Sequence, residues 1–148
     1  MLEVLELGKN QISNVDLLQG TNQFPMLTEL YLYINQIKRL PTNLSFAQLK
    51  TLNLNRNQDL QSLHLGYCPL LETLSVSYCS LNELGSMRGC PALSDLDVSF
   101  NHLPTLKGLL DVLPHRRLQA LSLNDNLFSA ISNEEAFYAQ QNQTSTLQ

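Results

Sequence analysis

The sequence contains few charged residues and no long hydrophobic run. Charged residues make up 15% of the 148-residue chain, and 13 Asp and Glu against 9 Lys and Arg leave a net charge of −4. Nucleic-acid-binding proteins usually present a basic face, so this balance argues against a nucleic-acid partner. No apolar run approaches the ~20 residues that a membrane-spanning helix needs, and the first residues lack the basic start of a signal peptide. We expect neither nucleic acid nor a membrane as the partner.

The sequence also lacks the groupings of residues that most catalytic sites need. The six glycines are dispersed, so no phosphate-binding glycine loop is present. The three histidines have no cysteine or carboxylate at a recognisable catalytic spacing. Cys68, Cys79 and Cys90 are spaced 11 residues apart, which supplies neither a fourth ligand nor a shared direction for a metal. We therefore predict that the protein is not an enzyme and has no catalytic residue, no metal and no cofactor.

One pattern, Leu-x-x-Leu-x-Leu-x-x-Asn-x-Leu, recurs six times and covers most of the chain. The copies begin 25, 22, 22, 22 and 25 residues apart, at Leu2, Leu27, Leu49, Leu71, Leu93 and Leu118. The apolar fourth and sixth positions alternate with other residues, which predicts a short strand with those two side chains pointing inward. One such strand cannot bury its apolar face alone, so successive copies must stack into a parallel sheet. The sequence thus predicts a solenoid with a continuous leucine core.

The ninth position of each copy lies where the chain leaves the strand. An asparagine there can donate to and accept from the backbone of neighbouring turns, which satisfies polar groups that would otherwise be buried unpaired. In the fourth copy a cysteine takes this place, a weaker hydrogen-bonding residue that tolerates burial. The predicted ladder consists of Asn10, Asn35, Asn57, Cys79, Asn101 and Asn126.

The third copy admits a second interpretation. Its last leucine, Leu60, comes one residue late, and the stretch that begins there also fits the motif at half the period. An 11-residue coil is too short for a full turn of such a solenoid. We therefore interpret Leu60, Leu63 and Leu65 as convex and turn residues of a 22-residue repeat.

These motifs resemble the leucine-rich repeat superfamily over roughly residues 2–128. The 22-residue spacing is similar to the short class found in intracellular phosphatase regulators, splicing factors and axonemal dynein-associated proteins. The 25-residue copies are similar to the typical class shared with receptors. The resemblance implies an α/β solenoid with a curved parallel β-sheet on a concave, protein-binding face and short helical turns or extended segments on the convex face. Secreted members usually carry paired cysteines in flanking caps, which are not found here, so we expect an intracellular, cytoplasmic protein.

The chain divides into two predicted regions. Residues 1–131 form the repeats, and residues 132–148 form a convex or capping helix followed by the start of a further repeat. Three helical stretches are predicted: a turn near Val15–Leu18, a two-turn helix over residues 105–113, and a helix over residues 132–141 that opens with a capping box. No capping element precedes Leu2, so we expect a segment of a longer repeat protein whose uncapped ends make further contacts.

The side chains that alternate with the inward leucines form columns on the concave face, about 5 Å apart. Two tyrosines share one strand, two aromatics are neighbours at the exit edge, and carboxylates lie beside them. Aromatic residues are enriched at interface hot spots, and the carboxylates suit a basic peptide or helix, although strand propensity alone also favours surface tyrosine. The predicted binding residues are Glu29, Tyr31, Tyr33, Asn53, Asn55, Arg56, Tyr78, Asp95, Asp97, Phe100 and Asp125.

These features predict a non-enzymatic scaffold, adaptor or regulatory subunit that binds protein through its concave sheet. One alternative is an ectodomain fragment of a receptor or secreted matrix protein, which would carry a glycan at the Asn43 sequon or a disulfide between Cys68 and Cys90. Another is the recognition segment of a larger enzyme or enzyme regulator whose catalytic domain lies outside these residues.

Overall fold

A computed structural model describes residues 1–19, 23–42, 44–109 and 117–128, which wind into a parallel β-solenoid. Each turn contributes one short strand to the larger sheet. The strands of this sheet are β1 (Val4–Glu6), β2 (Glu29–Tyr31), β3 (Thr51–Asn53), β5 (Thr73–Ser75), β7 (Asp95–Asp97) and β8 (Ala120–Ser122). They lie in the order β1-β2-β3-β5-β7-β8, all parallel. A smaller sheet pairs β4 (Ser62–Leu63) with β6 (Glu83–Leu84).

The strands of the larger sheet are in register with the sequence repeat. Fourth-position leucines pair across each step, as Leu30 does with Leu52 and Leu74 does with Leu96. In the inner strands β2, β3, β5 and β7 the central leucine is buried and its two neighbours are partly exposed. This is the outcome that strand alternation predicts, because successive side chains point to opposite faces. The central residues of the outer strands β1 and β8 are only partly buried.

Residues of the return segments close the core from the convex side. Phe46, Cys68 and Cys90, at equivalent positions of successive copies, are all buried. Leu60 and Leu63 are fully buried, and Leu63 belongs to the smaller sheet. Leu63 is therefore a convex core residue of a longer turn, which agrees with the 22-residue interpretation of this stretch.

The described residues contain no α-helix, and their only helical segments are two 3-10 turns, Asp16–Leu18 and Lys107–Leu109. The turn predicted near residues 15–18 is confirmed. The two-turn helix predicted over residues 105–113 is wrong for its described part, which is a single 3-10 turn. Leu106 and Leu109 are both buried and three residues apart, a spacing that eclipses on a 3-10 turn. Residues 110–113, the predicted helix over 132–141 and Asn43 lie outside the described residues.

The ninth-position asparagines from Asn35 onward form the predicted ladder between turns, whereas Asn10 is exposed and donates to the Leu7 and Gly8 carbonyls of its own turn. The Asn57 Nδ2 donates to the carbonyls of Leu54 (2.7 Å) and Leu32 (3.0 Å), which are the sixth positions of its own and the preceding copy. Its Oδ1 accepts from the Ile37 N–H at 3.0 Å. Equivalent bonds recur at Asn35, Asn101 and Asn126. The ladder joins each turn to the previous one through groups that are withdrawn from water.

Candidate functional site

The outward face of the larger sheet, for which we keep the name concave face, carries acidic side chains and no basic ones. Its outward residues occupy the third, fifth and seventh positions of the six copies, all of which are described. Glu6, Glu29, Asp95 and Asp97 are the charged residues among them, and none is Lys, Arg or His. All four carboxylates are partly or fully exposed. The strand spacing of about 4.8 Å separates the β2 carboxylate from the β7 pair by roughly 14 Å.

Two tyrosines, each beside a glutamate, occupy the first part of this face. The Tyr31 hydroxyl donates to Glu29 Oε2 at 2.7 Å, and this hydrogen bond raises the pKa of the phenol. The Tyr33 ring lies against Gly8 on the neighbouring turn, where a Cβ would overlap it. The negative charge of Glu6 raises the pKa of Tyr33. Both tyrosines are half-buried rather than freely exposed, because each rests on a residue of its own or the adjacent strand.

The centre of the face is made of small polar side chains that bond to one another. Asn53 Oδ1 accepts from the Asn55 N–H at 3.0 Å. Asn55 Nδ2 donates to the Ser75 hydroxyl at 3.2 Å, and Asn55 Oδ1 accepts from the Ser77 N–H at 2.8 Å. These bonds fix the two predicted binding residues Asn53 and Asn55 before any partner arrives.

The carboxylates of β7 are oriented by serines. Asp97 Oδ1 accepts from the Ser99 hydroxyl at 2.6 Å and from its N–H at 3.0 Å. Asp95 Oδ2 accepts from the Ser94 hydroxyl at 2.6 Å. In both aspartates no hydrogen bond to the other carboxylate oxygen is present in the described part of the chain.

The eighth position of every copy has a left-handed backbone. The φ angles of Lys9, Ile34, Arg56, Tyr78, Phe100 and Asp125 lie between 52° and 61°. Strict alternation would point the eighth side chain into the core. The left-handed residue reverses this, so the eighth side chain projects at the exit edge and the ninth, the ladder asparagine, turns inward. L-residues adopt this conformation at a cost, which is largest for β-branched and bulky residues.

Three eighth-position side chains form a continuous stack. The Arg56 guanidinium carbon lies 4.7 Å from the centroid of the Tyr78 ring. The rings of Tyr78 and Phe100 are 4.1 Å apart between centroids and tilted by only 8°. Tyr78 and Phe100 remain 42% and 37% exposed, so the stack is a surface feature and not part of the core. We call these three residues the edge stack.

The predicted binding residues thus fall into four places. Glu29, Tyr31 and Tyr33 lie on the first part of the concave face, Asp95 and Asp97 lie on β7, and Asn53 and Asn55 lie between them. The remaining four lie outside the strands, at the exit edge: Arg56, Tyr78, Phe100 and Asp125. The predicted set left out Glu6, Gly8 and Ser99. Gly8 contacts the Tyr33 ring, Glu6 raises the pKa of Tyr33, and the Ser99 hydroxyl donates to Asp97. The glycine beside Tyr33 in the seventh-position column was the available signal for one of these contacts.

The three cysteines are free and buried. Burial raises the pKa of Cys79 to about 11. The Cys90 thiol shares a hydrogen bond with Cys68 and is buried, and both effects raise its pKa. A raised pKa makes Cys79 and Cys90 poor nucleophiles and poor metal ligands, because the reactive species is the thiolate. The same hydrogen bond with Cys90 lowers the pKa of Cys68.

Two grooves lie on the convex side. A groove of about 430 Å³ is lined by residues that include His64, Glu83 and Lys107, and one of about 410 Å³ is lined by residues that include Arg39 and His64. Across the described ranges, no group of three or more His, Cys, Asp or Glu residues is placed to hold a metal ion. The same residues contain no helix that is long and apolar enough to cross a membrane.

No protein-family model, curated protein or solved structure matches this chain. The support for the solenoid architecture is therefore the sequence repeat and the geometry of the described residues.

Proposed function

We propose that this protein is a leucine-rich repeat solenoid that binds a basic segment of a protein partner, a peptide or a helix, on its concave sheet. It acts without catalysis, as a scaffold, adaptor or regulatory subunit inside the cell. The in-register leucines, the asparagine ladder and the 22- and 25-residue spacings support the family assignment.

The observation that carries the proposal is the one-sided charge of the concave face. Glu6, Glu29, Asp95 and Asp97 are accessible there without a single basic neighbour in the same columns. Such a surface attracts cationic partners and repels anionic ones, which speeds encounter and excludes wrong partners. At physiological salt the screening length is about 8 Å, so the attraction acts mainly in the last stage of approach.

The rigidity of the face supports recognition over catalysis. The inner strands are tied to both neighbours, and the polar side chains at the centre are already bonded to one another. Little side-chain freedom is lost when a partner binds, which leaves more of the contact energy as affinity. Over the described residues the face is an open sheet, and an open sheet does not exclude water from a reacting group.

The test is a binding comparison with isosteric neutral variants. The chain and an Asp95→Asn/Asp97→Asn variant are used to capture proteins from a cell lysate, and captured proteins are purified and titrated directly. A Glu83→Gln/Asp59→Asn variant removes the same amount of charge from exposed positions outside the concave columns. We expect the concave variant to lose partners that the control retains, with a loss that shrinks as salt is raised.

Equal direct binding by the wild-type and concave-variant chains would contradict the proposal. It would move recognition to the convex grooves or the edges of the sheet. The circular-dichroism melting curve of each variant confirms that the comparison is between folded proteins.

A further inference from the structure

The edge stack is covered at one end by the protein's own arginine and, as far as the described residues reach, is open at the other. Arg56 covers one face of Tyr78, and Tyr78 covers one face of Phe100. The second face of Phe100 points toward the next copy, where the eighth position is Asp125. Among the described residues no ring or cation contacts that second face.

Asp125 is placed to accompany a cation on this open face. It has the same left-handed backbone as Phe100, with φ values of 55° and 53°, so its side chain projects in the same direction from the adjacent turn. The turns are joined here by a hydrogen bond from the Phe100 N–H to the Asn124 carbonyl at 2.9 Å. An aspartate side chain is too short to cover a phenyl ring, so the outer part of the ring stays accessible.

The Asp125 carboxylate is oriented and still has an oxygen available. Asn124 Nδ2 donates to Asp125 Oδ2 at 2.9 Å. In the described part of the chain no hydrogen bond reaches Oδ1, and the side chain is exposed. A carboxylate beside an aromatic face is a combination that binds a planar cation, through charge pairing and through the ring quadrupole.

We propose that Phe100 and Asp125 form a subsite for an arginine side chain of the partner, whose guanidinium lies on the open face of Phe100 and pairs with Asp125. The inference rests on the proposed function, because it assigns one residue of the basic partner to one place on the solenoid. The bound arginine extends the edge stack by one layer, so that a guanidinium lies at each end of the two rings.

Arginine fits this subsite better than lysine. Its guanidinium is planar, stacks on aromatic rings and offers paired N–H donors to a carboxylate, whereas an ammonium is a compact, strongly hydrated point charge. The protein provides an internal precedent, since Arg56 makes this stacked contact with the ring of Tyr78 at 4.7 Å.

The first experiment uses N-acetyl-arginine N-methylamide as the probe and the citrulline analogue as its neutral control. Each is titrated into the full chain and followed by NMR. We expect the arginine compound to shift the Phe100 ring resonances in a saturable way. The ring current of Phe100 should in turn move the δ-methylene protons of the arginine compound upfield. The citrulline compound, which lacks the charge, should bind at least several-fold more weakly.

Two variants and two matched controls locate the contact. Phe100→Leu removes the ring, and Asp125→Asn removes the charge with almost no change of shape. Each should weaken binding roughly two- to five-fold, the loss expected for one exposed cation–π or ion-pair contact. Tyr67→Leu and Asp59→Asn change an exposed aromatic and an exposed carboxylate elsewhere and should leave binding unchanged. Binding that is equal in all four variants would overturn the subsite.

A second probe separates this inference from the proposed function. An oligo-arginine peptide is titrated into the same proteins and into Asp95→Asn/Asp97→Asn. Weaker binding to the concave variant, with unchanged binding to the Phe100 and Asp125 variants, would overturn the subsite and leave the acidic face as the recognition surface. Peptide binding that none of the variants changes would overturn both.

Discussion

Cys79 and Leu60 depart from the repeat pattern together. In the first, second, fourth and fifth copies the eleventh-position N–H donates to the next ladder asparagine, as Leu81 does to Asn101 Oδ1 at 2.9 Å. In the third copy one extra residue precedes Leu60, and the Leu60 N–H donates instead to the Asn57 carbonyl at 3.0 Å. No acceptor is then needed at position 79. The Cys79 thiol only has to donate, and it lies 3.5 Å from the Leu54 carbonyl.

Restoring asparagine at this position should therefore destabilise the protein. In Cys79→Asn the new Nδ2 gains carbonyl acceptors, but the new Oδ1 is buried without a donor. We expect a loss of about 1–2 kcal/mol in the free energy of unfolding, measured by urea denaturation. Deleting Asp59 as well should return Leu60 to the common register and recover most of this loss, with a coupling of about 1 kcal/mol or more in the double-mutant cycle.

The reverse substitution is the control for this prediction. Asn101→Cys leaves the Leu81 N–H without an acceptor, in a turn that has no inserted residue. It should cost about 1–3 kcal/mol. A stabilising Cys79→Asn, or a cycle without coupling, would show that the two departures are independent.

Truncation of the inward leucines tests the core. Leu74 and Leu96 are 1% and 2% exposed and pair across β5 and β7. Leu74→Ala or Leu96→Ala should cost about 2–5 kcal/mol, through lost burial and the cavity left behind. Leu17→Ala, at a leucine that is 57% exposed, should cost far less. Chemical denaturation measures both, and a loss below about 1 kcal/mol at both core sites would be incompatible with this packing.

The left-handed column predicts a substitution that stabilises. Ile34 is β-branched, has φ 52° and is 41% exposed. Asparagine tolerates this backbone far better, so Ile34→Asn should raise the free energy of unfolding by about 0.5–1 kcal/mol. Leu70→Asn is the control, because Leu70 is equally exposed, at 39%, and has no positive φ. If the two substitutions shift the urea midpoint alike, the backbone at position 34 carries no such cost.

The buried thiol of Cys79 predicts a loss of stability in base. Its pKa is about 11 in the folded chain against 9.0 for an ordinary cysteine. A raised pKa means that the folded state holds the proton longer. The stabilisation that the protonated Cys79 thiol contributes to the folded state is therefore complete below pH 9 and is lost as the pH rises to about 11. The linked change is on the order of 2–3 kcal/mol.

This change is read as the difference between the wild-type protein and Cys79→Ala. Unfolding by urea is measured from pH 8 to pH 11 under reducing conditions. The difference in free energy of unfolding between the wild-type protein and the variant should become smaller with rising pH. The contributions of the other titrating groups are the same in both proteins and cancel. A constant difference across this range would place the thiol in contact with water.

The larger sheet could be predicted from the sequence because every copy has to bury the same kind of side chain at the same position. Leu30, Leu52, Leu74 and Leu96 need the same burial, and their spacing fixes which strands pair. The ladder asparagines follow from the same argument, since each must satisfy the backbone of two turns. The smaller sheet of β4 and β6 was not predicted, because the convex segments vary in sequence and each can be extended or helical.

The sequence predicted which surface the candidate residues share but not how their side chains are arranged. A two-residue strand period places the eighth side chain inward, so the edge stack depends on a backbone reversal that alternation does not contain. Likewise, Tyr31 and Tyr33 are identified from the sequence as surface aromatics. Their contacts with Glu29, Glu6 and Gly8 depend on side-chain rotamers, which periodicity does not specify.

The left-handed column separates the side chains of the exit edge from those that hold the core together. The backbone at the eighth position is fixed by hydrogen bonds to the next turn, as in the bond from the Tyr78 N–H to the Ser99 carbonyl. The side chain there contributes little to the core. Mutations at these positions can therefore accumulate without unfolding the solenoid, and two solenoids with the same interior can diverge in surface chemistry through a handful of codon changes along one edge.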